Sequence, residues 1–318
     1  MKSPILFIIF NRPNEAKIVF EAIRRAKPPK LYISADGPRQ GNINDANLCA
    51  LTRLIEKDID WECKVFINYY DDNIGVDPGV ISAIDWFFSK EDEGIILEDD
   101  CLPDNSFFEF CDDMLEKYRD DKRVFMISGN NFQEDIRGAE VSYGFSIYTH
   151  TWGWASWKRS WVNQDIHLDS WPQCKKYGML DSLHRSRIIK SFWANLFENI
   201  YLKKHKGACW DYKFLFSCWK DSSLNIIPSV NLISNIGHGK NSTHTKDKDS
   251  IYANRKTSSL TWPLKHPLIV QRNYLADEQD GLNEYIKRTF LDKVLFYIFR
   301  PLKLIRVIGI ILKKNDSS

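Results

Sequence analysis

The chain has 318 residues, 43% of them hydrophobic and 27% charged, enough apolar material for one large domain or one domain with a substantial subdomain, which excludes a disordered tail. Its formal net charge of +2 is unevenly placed, because residues 287–318 hold 8 of the 44 Lys/Arg and only 2 of the 42 Asp/Glu. The remaining body is near-neutral to acidic and argues against nucleic acid as its partner, since phosphate-backbone binding needs a clustered basic surface.

In chain order, residues 5–10 form a continuous apolar run ended by Asn11-Arg12-Pro13-Asn14. The run is too short for a signal-peptide core with its cleavage site, so a core strand is expected. Residues 15–26 place Ala16, Val19, Phe20 and Ile23 on one helical face. Residues 31–35 read as a second strand ended by Asp36-Gly37-Pro38, residues 48–57 as helical and residues 63–69 as a third strand. A helix over 77–90, a buried strand over 94–97, a helix over 105–118 and a strand over 124–128 follow. The alternation implies a parallel sheet covered by helices, an α/β fold. Beyond about residue 140 it weakens, and Trp152, Trp154, Trp157, Trp161, Trp171, Trp193, Trp210 and Trp219, eight of the 11 tryptophans, crowd together. These rings fit either an aromatic core or a platform that stacks on pyranose faces. Seven cysteines without a CxxC pair indicate neither a zinc knuckle nor a disulfide framework and suit a reducing cytosol.

The chemistry concentrates in Glu98-Asp99-Asp100, directly after the apolar residues 95–97. In an open α/β sheet the ligand crevice lies at such strand ends. Three adjacent carboxylates repel one another, and a bound Mn²⁺ or Mg²⁺ carrying diphosphate oxygens relieves that repulsion with hard oxygen ligands. A solvated acidic turn is the alternative.

This arrangement resembles the GT-A fold glycosyltransferases, a Rossmann-like class, and in particular the family 2-like group and the N-acetylglucosaminyltransferase I type with its Glu-Asp-Asp motif. The resemblance covers most of residues 4–245. It implies that Asp100 ligates the metal while Glu98 and Asp99 face the ribose or metal-bound water. It also implies that Asp36 meets the ribose or base, although an Asp-Gly turn accounts for Asp36 as well. It places Phe10, Asn11 and Arg12 against the nucleotide base and diphosphate, where Arg12 offers a charge-assisted fork. Asn73-Ile74-Gly75 matches the family's Asn-x-Gly element at the donor, while Asp77 as N-cap with Pro78 at the first helical position explains the same stretch.

On the acceptor side, residues 151–158 match a segment that shapes the sugar pocket, with Trp152, Trp154 and later Trp210 as acceptor contacts. Asp211, between Trp210 and Tyr212, is the candidate catalytic base, since apolar neighbours raise a carboxylate's pKa toward the useful range; a helix cap is the other reading. The resemblance favours His244 as a further metal ligand, with His238 second, a solvated loop histidine being the other reading of each, and Lys240 is a candidate to help neutralise the diphosphate.

The expected activity is a metal-dependent, inverting transfer of a hexosyl or N-acetylhexosaminyl group from a nucleotide-diphosphate sugar, UDP-linked by resemblance. The acceptor is a saccharide or a lipid-linked glycan in bacterial-type surface polysaccharide synthesis. A sugar nucleotidyltransferase is the alternative, but its usual Gly-rich loop after the first strand is replaced by Phe10-Asn11-Arg12-Pro13. A non-catalytic carbohydrate-binding protein would need neither the acids nor the base. The expected organisation is a GT-A domain over 1–245, divided near 130 into donor and acceptor parts, a connecting segment 246–286 and a basic amphipathic tail 287–318. Charges recur too often in the tail for a bilayer span, so it reads as an interfacial helix on anionic lipid or as a helix docked on the body. The expected location is cytoplasmic, peripheral on the inner face of the membrane.

Overall fold

A computed structural model describes residues 1–133, 140–237 and 254–285. Strands β1 (Ile5–Ile9), β2 (Lys30–Ala35), β3 (Lys64–Tyr69) and β4 (Glu93–Glu98) alternate with helices α1 (Pro13–Ala26), α2 (Ile43–Arg53) and α3 (Val76–Lys90). Then come β5 (Cys101–Pro103), α4 (Ser106–Lys117), β6 (Val124–Ser128), β7 (Tyr143–Ser146), β8 (Trp154–Trp157), α5 (Lys158–Trp161), α6 (Trp171–Lys176) and α7 (Met179–Leu183). Helices α8 (Arg187–Tyr201) and α9 (Trp210–Lys220), strands β9 (Leu224–Pro228) and β10 (Ile233–Asn235), and helix α10 (Tyr274–Asp280) complete the order.

The strands form an eight-stranded sheet in the order β3-β2-β1-β4-β8-β6-β9-β7 and a small β10-β5 pair. β1 pairs in parallel with β2 and with β4, and β3 with β2. β8 runs antiparallel between β4 and β6, and β7 antiparallel on the far edge beside β9. The fold is α/β, a mostly parallel sheet flanked by helices.

Side chains alternate across β1 because a strand's period is two. Ile5, Phe7 and Ile9 join Val19, Phe20 and Ile23 of α1 and the α4 residues in one core, while Leu6 faces the other, with Val80, Ile84 and Phe87 of α3. That second core also takes Trp154, Trp161, Trp171, Trp193, Trp210 and Trp219. Most of the tryptophan-rich stretch is therefore packing.

Several element boundaries differ from the sequence reading for local reasons. α2 starts at Ile43 because Asn42 caps it, its side chain accepting from the Asp45 amide at 3.1 Å. Residues 154–157 are the central strand β8, with Trp154 and Trp157 in different cores. Gly153 has φ +69° and lies so close to Leu97 and Ile233 that a Cβ would meet Ile233 at 2.5 Å, so the glycine serves backbone approach to the sheet end. All seven cysteines are free thiols. Among the described residues no helix is long and apolar enough to cross a membrane. The tail 287–318 lies outside the described residues.

Candidate active site

The chain runs outward from β1 through β2 to β3, then returns to place β4 on β1's other side. The loops leaving β1 and β4 diverge at this switch point, and a crevice opens at the carboxyl ends of the strands. A cleft of about 380 Å³ lies there, lined by Phe10, Arg12, Asp36, Gly75, Glu98, Asp99 and Asp100, with Trp152, Trp210 and Asp211 closing it from the other half. Residues from both sides of residue 130 thus line one cavity.

Glu98 ends β4, and Asp99 and Asp100 form the turn into β5. The Phe10 amide donates to Asp99 Oδ2 at 2.9 Å. Arg12 Nη1 lies 3.1 Å from Asp99 Oδ1 and 2.5 Å from Asp100 Oδ2. Arg12 was expected on the donor diphosphate; its guanidinium is instead bound to the acids. Burial, then the charges of Asp100 and Asp99, push Glu98 up to about 8. Burial pushes Asp99 up to about 7 against the pull of Arg12. Burial alone would lower Arg12, but Asp99 and Asp100 raise it above its ordinary value, so it stays charged. One guanidinium does not balance three carboxylates, and near neutral pH the site retains protons or draws a further cation.

Asp99 and Asp100 direct one oxygen each at a single nitrogen of Arg12. This convergence of two hard oxygens on one positive centre is the donor set a magnesium- or manganese-type ion uses when phosphate oxygens supply the rest. Among the described residues no group of three or more His, Cys, Asp or Glu forms a self-sufficient metal site. Asp99 and Asp100 alone supply two such oxygens, so an ion held there would need its remaining ligands from elsewhere. The small β5–β10 pair holds this turn in place: the Ile236 amide donates to the Asp100 carbonyl at 2.8 Å, and a Cβ on Gly237 would collide with the Asp100 carboxylate. His238, Lys240 and His244 lie outside the described residues.

Asp36 is a hub for the chain's own amides. Its carboxylate accepts from Asn73 Nδ2 at 2.8 Å, the Ile74 amide at 2.9 Å and the Gly75 amide at 3.2 Å. Gly75 needs its φ of +90° to turn the chain into α3. Asp36 and Asn73, both expected on the donor, thus hold each other at the cleft wall. Asn11 donates to Asp45 Oδ1 at 2.8 Å, away from the cleft lining. Arg39, which also binds Asp45, stacks its guanidinium 5.6 Å from the Phe10 ring centre and lines the cleft. Sequence reasoning passed over Arg39, although it is the first cation after the strand end at Asp36.

The far wall is set by Asp77. The alternative reading of its stretch made it the N-cap of α3, but that helix begins at Val76, and Asp77 Oδ1 accepts from the amides of Cys209 at 2.8 Å and Trp210 at 3.1 Å. Asp77 therefore caps α9, and the cap reading of Asp211 does not apply. Asp211 occupies α9's first turn and faces the cleft, and its charge is one of those that raise Glu98. Trp152 and Trp210 line the cleft. Trp154 does not: it is 1% exposed, behind Trp210 at 6.3 Å between ring centres, and packed on Phe214. Thr151, Tyr212 and Asn235 line the cleft and were not singled out; Asn235 could have been found from its place two residues before the glycine that abuts Asp100.

The sequence matches no family model and no curated protein. Among solved structures it resembles residues 1–349 of TarS from S. aureus, at 9% identity over 52% of this chain and 50% of that one, with a TM-score of 0.38. It also resembles HddC from Yersinia pseudotuberculosis complexed with GMP-PN, at 10% identity over 54% and 86% of the two chains and a TM-score of 0.33. The inositol-1-phosphate CTP transferase from T. maritima gives 7% identity, coverage of 52% and 74%, and a TM-score of 0.31. The chain spans about half the length of the TarS structure. Scores this low leave the fold and the site to be read from the chain's own strands and side chains.

Proposed function

We propose that the protein transfers a glycosyl group from a nucleotide-diphosphate sugar, a UDP-sugar first among candidates, to a hydroxyl of a saccharide or lipid-linked glycan, with inversion at the anomeric carbon. The observation that carries this reading is the meeting of Glu98, Asp99 and Asp100 with Asp211 and Trp152 in one cleft at the sheet's switch point. In this reading Asp99 and Asp100, with His244 as the further expected ligand, would hold a divalent cation, which when bound would supply charge neutralisation for a diphosphate. Arg12 and Arg39, which line the cleft, would meet phosphate oxygens, with Lys240, outside the described residues, a third expected partner. Phe10 offers a ring face to the base, and Asp36 holds the Asn73-to-Gly75 turn as the wall beside it.

Asp211 accepts the proton of the acceptor hydroxyl as the acceptor oxygen bonds to the anomeric carbon. The bond from that carbon to the phosphate oxygen breaks, and the nucleoside diphosphate leaves with the electron pair. Trp152 and Trp210 align the acceptor by stacking on its C–H faces, which also excludes water from the reacting centre.

A panel of UDP-, GDP- and dTDP-sugars screened by thermal shift with and without Mn²⁺ tests the donor side. One donor should raise the melting temperature, more with Mn²⁺ than without, and Asp100→Asn should abolish the Mn²⁺ increment. No shift with any donor in folded protein sinks the reading. Proton NMR of the product tests the stereochemistry: a product anomer matching the donor's rules out inversion.

A further inference from the structure

Strand β7 is the outer edge of the large sheet, and the segment leading to α10 runs along it. Ser142 donates its amide to the Lys265 carbonyl at 2.8 Å, Tyr143 Oη lies 2.9 Å from His266 Nδ1, and Phe145 bridges to Arg272. From Ser142 to Phe145 a strand advances roughly 10 Å, whereas the partner chain spends residues 265–272 on the same distance. The surplus stands off the sheet edge as a loop. At its tip Leu268 is 101% exposed and Ile269 62%.

The ground around this tip is basic. Tyr274, at the start of α10, lies between the guanidinium groups of Arg185 at 4.9 Å and Arg272 at 5.0 Å. It is followed by exposed Leu275, and Arg185 by exposed Arg187 and Ile188 at the start of α8. Residues 262–276 and 182–190 contain no Asp or Glu. The acids that come next turn inward: Asp277 is buried, accepting from Ser146 Oγ at 2.6 Å with Arg272 Nη1 at 3.9 Å, and Glu278 accepts from the Ser186 amide at 3.3 Å. Arg185, Arg187 and Lys265 are exposed and, among the described residues, enter no ion pair, while the exposed acids of neighbouring segments are engaged, Asp181 by Lys190 and Asp113 by the Trp262 indole. The described chain ends one short helix beyond Leu275, and the sequence then continues into residues 287–318 with their 8 basic and 2 acidic residues.

We propose that this edge rests on an anionic lipid surface, with Leu268 and Ile269 entering the boundary between headgroups and acyl chains and Arg185, Arg187 and Lys265 meeting lipid phosphates. An exposed aliphatic tip whose own segment and neighbouring helix start carry exposed cations suits an interface that yields to it and carries negative charge. A protein partner needs about 800 Å² of complementary surface per side, which a two-residue protrusion does not supply. The placement is independent of the transfer reaction.

Co-sedimentation of the full chain with phosphatidylcholine vesicles, with and without phosphatidylglycerol, tests it. Wild-type protein should bind only the anionic vesicles. The double variant Leu268→Ser/Ile269→Ser should bind them about tenfold more weakly at an unchanged melting temperature. Arg185→Gln/Arg187→Gln should weaken binding several-fold at low salt and little at high salt. Wild-type absence from anionic vesicles overturns the proposal. So does a Leu268/Ile269 variant that binds as wild type, which would leave binding to residues 287–318 alone, or one that changes the sedimenting mass without lipid, which would make a second copy the occupant.

Discussion

The β1-to-β4 half and the tryptophan-rich half contribute to one cleft in different ways. In the first half the polar groups stand in short runs at strand ends, where Phe10 to Arg12, Asp36 to Arg39 and Glu98 to Asp100 follow β1, β2 and β4. In the second they arrive singly, from elements whose other residues are core. Trp152 lines the cleft, whereas Trp154, two residues on, is in β8 and buried. Trp210 and Asp211 open α9, whose Phe214, Leu215, Phe216, Cys218 and Trp219 are buried. A concentration of one residue type therefore marks packing in this protein, and position at the end of an element marks the site.

Paired substitutions in the second half probe that difference most strongly. Trp154→Ala should cost about 3–5 kcal/mol in urea unfolding, because a fully packed ring leaves a cavity. Trp152→Ala should cost far less and appear as a raised acceptor KM; equal destabilisation by the two would erase the distinction between wall and core. Asp211→Asn should lower kcat by about 10²- to 10⁴-fold, the range for loss of a general base, while leaving the donor-induced thermal shift intact. A variant turning over at the wild-type rate removes Asp211 from the chemistry.

The two halves should also respond to pH with opposite sign. His184, 1% exposed and in ring contact with Trp219, is pushed by burial down to about 4, an effect Glu278 at 3.4 Å only partly offsets. Between that value and the ordinary one near 6.5 the unfolded chain binds a proton that the native chain refuses. Stability should fall by up to about 3 kcal/mol as pH drops through this window, and His184→Gln should flatten the dependence. Glu98 does the reverse: with its pKa raised to about 8, the native state holds a proton the unfolded state releases, so stability is lost as pH rises from about 4.5 towards 8. Glu98→Gln should raise the melting temperature at pH 8 and leave it unchanged at pH 4, and identical curves for variant and wild type would show that Glu98 titrates normally.

The parallel half of the sheet was legible because each strand there is a short apolar run closed by turn residues and followed by a helical face. β7 and β8 were not, since Tyr143 to Ser146 and Trp154 to Trp157 mix small, polar and aromatic residues and take their strand character from neighbours distant in sequence. The acid triplet was legible as a strand end, but the cation paired with it was not. Arg12 looks like a phosphate ligand in a linear reading, and only the β1–β4 pairing brings it onto Asp99 and Asp100. Likewise Asp77 beside Pro78 has the local signature of an N-cap, yet it caps a helix more than a hundred residues later.

That long-range cap links helix α3 to the turn that carries Asp211, the proposed base. Asp77 joins the first turn of α3, which carries the Gly75 wall, to the first turn of α9, which carries Asp211, and Lys213 Nζ lies 3.4 Å from its second oxygen. Asp77→Ala removes an acceptor for two helix-end amides and should cost about 1 kcal/mol. Asp77→Asn keeps an acceptor oxygen and should recover most of that loss. If the cap also fixes where Asp211 sits, kcat in the alanine variant, measured well below its melting temperature, should fall several-fold with donor binding unchanged, and the asparagine variant should restore it. A purely structural cap would lower the melting temperature and leave kcat at the wild-type value, in which case the two halves meet at the cleft without being coupled through α9.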